Sequence, residues 1–252
     1  MKNKLKYILD FFNDDTMYYA ASLSFFTIFS LLPIVALLIV VMSSTIYFSS
    51  YIDILMSYIY DFINPTHSSE VILTIQNALT NINSLGNIGL VYLFFIFTMF
   101  FKDYEYIMSK IHKTKKRPII KMLLLYLSFL IIIPFTILVI TFVMSYFKNT
   151  LLIYILNFIF SVFILSILFK ISVNKFVSIK ASFIASFITV SVLKLTQALF
   201  VYYIAYNTTY TTIYGTLSAM LFMFLWIYMS WIIYLYGVKI SHRLNIGEKN
   251  AK

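Results

Sequence analysis

Six apolar blocks, each about the length that a bilayer crossing needs, leave this chain few ways to fold. They lie at about residues 17–48, 86–106, 119–147, 151–169, 181–206 and 213–238. Backbone amides in hydrocarbon must be satisfied internally, so continuous apolar runs of about 20 residues become helices. The fifth block, Ala181–Tyr206, carries a single lysine, Lys194. It lies 13 residues past Ala181, or ~20 Å along a helix, well inside the hydrocarbon layer. An ionised lysine at that depth costs at least a few kcal/mol, so by default it faces a bundle interior or a wet cavity.

The composition agrees with the blocks. The 252 residues are 62% hydrophobic and 11% charged, against about 25% charged in an ordinary soluble domain. The expectation is one all-α membrane domain, a six-span transmembrane bundle. With no cysteine, disulfides, thiolate metal sites and cysteine nucleophiles are excluded. The first apolar run follows an acidic patch and is too long for a signal-peptide core, so it is expected to stay in the mature protein.

Residues 1–13 open with Leu5, Ile8, Leu9 and Phe12 at helical spacing and with Lys2, Lys4 and Lys6 near the polar side. That pattern suits an interfacial helix with lysines toward anionic lipid; a frayed tail is the alternative. Asp14, Asp15 and Thr16 supply a helix start. Pro33 in span one and Pro134 in span three mark kinks or hinges. Ala20, Ala21, Ser24, Thr27 and Ser30 form a small-residue face suited to close helix packing.

Between spans one and two, residues 49–87 hold no lysine or arginine. Ile52, Leu55, Met56 and Ile59, then Val71, Ile72, Ile75, Leu79 and Ile82, predict two amphipathic helices broken at Asn64-Pro65. We read them as an extracytoplasmic helical hairpin, where an envelope protein partner could dock. Lys102, Asp103 and Glu105 at the end of span two can reach the interface by snorkelling, and the loop at 107–118 is strongly basic. The N-terminus, the 102–121 loop, the 170–180 loop and the C-terminal tail hold 17 of the 19 lysines and arginines. Both termini are therefore expected in the cytoplasm. Lipid attraction accounts for the basic face; without interleaved aromatics it gives no reason to expect nucleic acid.

Two stretches resemble a known family. Asp15-Thr16-Met17-Tyr18-Tyr19-Ala20-Ala21-Ser22-Leu23-Ser24-Phe25-Phe26, followed by Ser30-Leu31-Leu32-Pro33, is similar to the opening signature of the YihY/BrkB family. Tyr202 and Tyr203, Ile213-Tyr214-Gly215-Thr216-Leu217, Trp226-Ile227-Tyr228, Ser230-Trp231 and Gly237 resemble its closing signature. The likeness covers most of the chain in matching order, although the loop around His112 departs from the asparagine-containing pattern. It implies a bacterial inner-membrane protein. Members once carried a ribonuclease label, and one branch is named for serum resistance.

A hydrolytic site needs several carboxylates or histidines converging. His67, His112 and His242 are scattered along the chain, and Asp103, Glu105 and His112 do not share one helical face. No catalytic residue, metal or cofactor is expected. Lys194, with Ser191 and Gln197 on either side of it, is the candidate anion-binding group. Its neighbours are expected to be neutral: Asn157, Thr136, Thr141 and the Thr27/Ser30 turn. Two readings stay open: a lysine satisfied by carbonyls near Pro33 or Pro134, or a cation awaiting a phosphate or carboxylate. Gly215 is expected to permit close backbone approach, with Tyr214 an interfacial anchor and Trp226 and Trp231 as packing residues. The functional expectation is transporter- or flippase-like handling of an anionic amphiphile such as phospholipid, with a non-transporting envelope scaffold as the alternative.

Overall fold

Apolar residues in unbroken runs dictate helix, and helix is what the chain forms. The computed structural model describes residues 15–43, 52–82, 86–147, 149–207, 214–215 and 217–250. Among these there are eight α-helices and no strand: α1 Thr16–Ser43, α2 Ile52–Ile63, α3 Ser69–Ile82, α4 Gly86–His112, α5 Ile119–Ser145, α6 Thr150–Ile171, α7 Ile179–Tyr206 and α8 Leu217–Asn250. By length and composition α6, α7 and the Leu217–Gly247 part of α8 can cross a membrane. The interfacial segment 1–13 and Asp14 lie outside the described residues.

Local chemistry sets the boundaries. Asn149 caps α6 by accepting the amide of Leu151 at 3.0 Å, and Ser178 caps α7 by accepting that of Ala181 at 3.1 Å. Both are short polar side chains of the kind that satisfy a helix's free N–H groups. Pro33 and Pro134 sit inside continuous helices, α1 and α5. Helix α4 runs six residues beyond the expected end of span two. The segment after Val238, expected as a tail, continues as α8, because nothing in Lys239–Gly247 breaks the helix.

α8 forms the centre, packed against α7, α1 and α4. α6 lies on α7, and α5 lies against α1 and α4, so consecutive α5 and α6 belong to opposite flanks. The main core joins Ala20 and Leu23 of α1, Phe97, Phe100, Tyr104, Ile107 and Met108 of α4, Met122 and Tyr126 of α5, and Leu235 and Val238 of α8. Packing is the role of most of the α1 small-residue face, where Ala20, Ser24 and Ser30 are buried and Thr27 half-buried, while Ala21 is exposed.

The two short helices of the expected hairpin are present. Their turn is tied by Asn64, whose Nδ2 donates to the Ser68 carbonyl at 2.9 Å and whose Oδ1 accepts the Ser68 amide at 3.2 Å. Ile63, Val71 and Ile75 form a separate small core against Ala219 and Met223 of α8. The Trp226 indole donates to the Phe62 carbonyl at 2.6 Å, fastening the hairpin to α8.

The tightest seam is α7 on α8. Ala181, Ala185, Ser186 and Thr189 are all but fully buried, and Gly237 faces them. A Cβ there would lie 2.1 Å from Thr189 Oγ1 and 2.9 Å from Phe169 Cζ. Gly215 differs from expectation: its φ of +54° favours glycine, while no described atom lies within 4 Å of a Cβ there. The left-handed backbone, not close approach, explains it.

Gly237→Val should force the seam apart and cost about 1–3 kcal/mol, the usual penalty of overpacking. The thermal midpoint of the detergent-purified protein should fall, whereas Gly247→Ala, where a Cβ meets no described atom within 4 Å, should not lower it. Equal melting of the two variants would show the seam to be loose.

Candidate functional site

Lys194 lies near the middle of α7, ~22 Å from its start. It is exposed on the helix surface, turned away from the bundle. This corrects the expectation of an interior-facing ammonium. The face of α7 that packs on α6 and α8 is taken by small residues, and a long cationic side chain has no room there. Lys194 Nζ lies 3.5 Å from Gln197 Oε1, one turn on. Ser191 donates to the Phe187 carbonyl at 2.8 Å. The expected neutral neighbours are engaged elsewhere: Thr136 donates to the Ile132 carbonyl, and Thr27 donates to the Leu23 carbonyl while accepting the Trp231 indole at 2.8 Å.

The charges inside the protein are others. Glu105, expected to reach the interface, is 3% exposed and pairs with Arg117 Nη1 at 2.9 Å. The Arg117 amide also donates to Glu105 at 3.1 Å. The Tyr126 hydroxyl donates to the same carboxylate at 3.0 Å. The other arm of the guanidinium donates to the Ile171 carbonyl at 2.6 Å, and Nη1 to that of Ser172 at 3.3 Å. Arg117 thus neutralises Glu105 and caps the C-terminal end of α6, where the helix dipole favours a cation. It joins α4, α5 and α6 at one end of the bundle. Tyr104 and Tyr234 share a hydroxyl–hydroxyl bond beside this pair.

Sequence reasoning assigned Arg117 to a lipid-facing basic loop and missed this cluster. The signal was a carboxylate, Glu105, set among apolar and aromatic residues near a helix end, with an Arg-Pro step opening the next helix. Lys110 and Lys116 do keep to the surface, over the Tyr106 ring.

The two terminal signatures meet in space. Ser22 donates to Asp103 at 2.7 Å, Lys239 donates to Thr16 at 3.3 Å, and Trp231 reaches Thr27. These contacts make the signature residues the fastening of α1 to α4 and α8. Tyr214 is half-exposed before α8. The histidines are less scattered than the chain order suggests: His112 and His242 lie with ring centroids 4.7 Å apart, while His67 stays in the hairpin turn beside Asp61. Among the described residues no three histidines, aspartates or glutamates come together in a group that could hold a metal.

Apolar helices long enough to span, joined through small-residue seams, define a helical membrane protein. The chain belongs to the virulence factor BrkB family, whose family model matches residues 8–252. It is 24% identical over 241 residues to a UPF0761 membrane protein of Pseudoalteromonas atlantica, covering 90% of this chain and 80% of that one. Similar proteins in Alteromonas mediterranea (24% identity, 92% and 84% covered) and Haemophilus influenzae (25%, 91% and 90%) are also named UPF0761 membrane proteins. No solved structure matches.

Arg117→Ala leaves Glu105 as an unpaired buried charge, and loss of one partner of such a pair costs about 3–5 kcal/mol. Detergent-solubilised Arg117→Ala should melt well below wild type, and the double variant Glu105→Gln/Arg117→Met should recover much of the difference. A single variant as stable as wild type would mean that the pair does not hold the three helices.

Proposed function

We propose that the protein is a multi-pass inner-membrane protein that handles an anionic amphiphile, with phospholipid the leading class, along the outer face of α7. The observation that carries this reading is Lys194, exposed midway along a helix otherwise uncharged at that level. In a hydrocarbon core ~30 Å thick it lies about 15 Å from either edge. Its four-carbon stem is too short to bring the ammonium to an interface. A lipid phosphate drawn to Lys194, with Gln197 and Ser191 nearby, would supply the missing charge and lower the barrier to headgroup passage. In this reading six helices cross, both termini and the basic loop face the cytoplasm by the lysine and arginine count, and the α2–α3 hairpin lies outside. The protein acts by binding and moving rather than by covalent chemistry.

The hairpin supports the second reading, an envelope scaffold. It is fastened by Trp226 and displays Phe62 and Leu73, each more than half exposed, as a partner surface would.

The two separate in proteoliposomes containing fluorescent phosphatidylglycerol. Lys194→Met should cut lipid movement between leaflets at least tenfold, and Lys194→Arg should retain most of it. Lys194→Met with wild-type movement would rule out the α7 route. If Phe62→Asp and Leu73→Asp then abolish cellular function, the scaffold reading holds.

A further inference from the structure

A second anion site lies apart from Lys194, at the basic end of the bundle where α4, the α6–α7 connection and α8 converge. Helix α4 ends at His112 in a tight stop: the Thr114 amide donates to the Ser109 carbonyl at 2.9 Å, and the Lys113 amide to that of Lys110 at 3.3 Å. This 6→1 and 5→2 pairing needs a left-handed residue. Lys113 fills that place with φ +52°, where glycine is the usual occupant. The stop holds His112 against His242 of α8.

His112 is 1% exposed, and among the described residues its Nε2 has no hydrogen-bond partner. A buried ring nitrogen left without a partner is costly and calls for an occupant. Two further buried hydroxyls without partners, Thr114 Oγ1 and Ser241 Oγ, flank the two histidines in the chain. The charge around the pair selects the occupant. Lys175 from the α6–α7 connection acts on both histidines, and Lys113 and Arg243 act on His242. Glu105, the carboxylate nearest to His112 in sequence, is committed to Arg117. A metal cation would meet this positive field with only two imidazoles to hold it, whereas an oxyanion gains from both.

We propose that His112 and His242, with Lys175 and Lys113 at the rim, form a binding site for a phosphate-class oxyanion, either a lipid phosphomonoester headgroup or free phosphate. The neutral imidazoles fit such a site because each offers an N–H donor, and a bound dianion draws a second proton onto them. Empty, His112 is held down to about 3 by burial, with His242 and Lys175 adding to it. A group lowered from an ordinary value of about 6.5 stabilises the fold above that pH and loses this contribution as pH falls toward 3. Bound phosphate reverses the electrostatic part, so occupancy and proton uptake are linked.

The test is nitrogen-15 NMR of the imidazoles in the full chain, selectively labelled at histidine. In detergent, inorganic phosphate is titrated against chloride at equal ionic strength. In nanodiscs, phosphatidic acid is compared with phosphatidylcholine. The site predicts saturable shifts of the His112 and His242 resonances and a rise of one pH unit or more in the His112 midpoint. Shifts with inorganic phosphate identify a free anion, and shifts with phosphatidic acid alone identify a headgroup; either supports the site. Resonances and midpoint unmoved by both ligands overturn it. His242→Gln should weaken binding at least tenfold. His112→Gln should do the same, and where it fails to fold His242→Gln decides. Lys194→Met should bind as wild type does, so this site stands or falls independently of the α7 route.

Discussion

One buried ion pair sets the arrangement of the helices at the basic end. Glu105 cannot remain ionised in an apolar bundle without a partner, and Arg117 cannot lie there without acceptors. Each supplies the other's need, and the surplus donors of the guanidinium go to the carbonyls that end α6. A guanidinium suits this place because its planar fork serves a carboxylate and two carbonyls at once; an ammonium would present a point charge. The pair closes the basic end across the two flanks, α5 with α1 and α4 on one side and α6 with α7 and α8 on the other.

Away from that end, packing does the holding. In lipid the hydrophobic effect gives helices little reason to associate, so small residues and hydrogen bonds carry the contact. On α8, Gly237 lies so close to Thr189 and Phe169 that a Cβ would not fit. The Thr16–Lys239, Ser22–Asp103 and Thr27–Trp231 bonds do comparable work on α1. Each belongs at least in part to a stretch that resembles the family's signatures, and at these positions the signature residues fasten helices. The two proposed anion sites lie outside this frame: one on the surface of α7, the other at the end of α4.

The sequence read well where chemistry has a direction. The hairpin helices were legible from periodic Leu55, Ile59, Val71 and Ile75, which meet the bundle, and from Asn64-Pro65 at the turn. The role of the α1 small residues was legible for the same reason. Lys194 was placed inside and is outside; Glu105 was placed at the interface and is inside. The long helices are apolar on every side, so they carry no stripe to show which face meets protein and which meets lipid. For a charge on such a helix, the sequence states its depth but not its bearing.

Sequence alone determined that this chain is helical and belongs in a membrane, because long apolar runs can satisfy their backbones in no other way. It also determined where most helices begin and end, since caps and prolines act over a few residues. Only the tertiary structure decided which polar groups meet: Arg117 with Glu105 and the end of α6, His112 with His242, and Lys194 with the outside of the bundle. Those outcomes depend on the rotation of each helix about its axis. That rotation is fixed by neighbours far away in the chain, through contacts between small residues that leave no periodic trace.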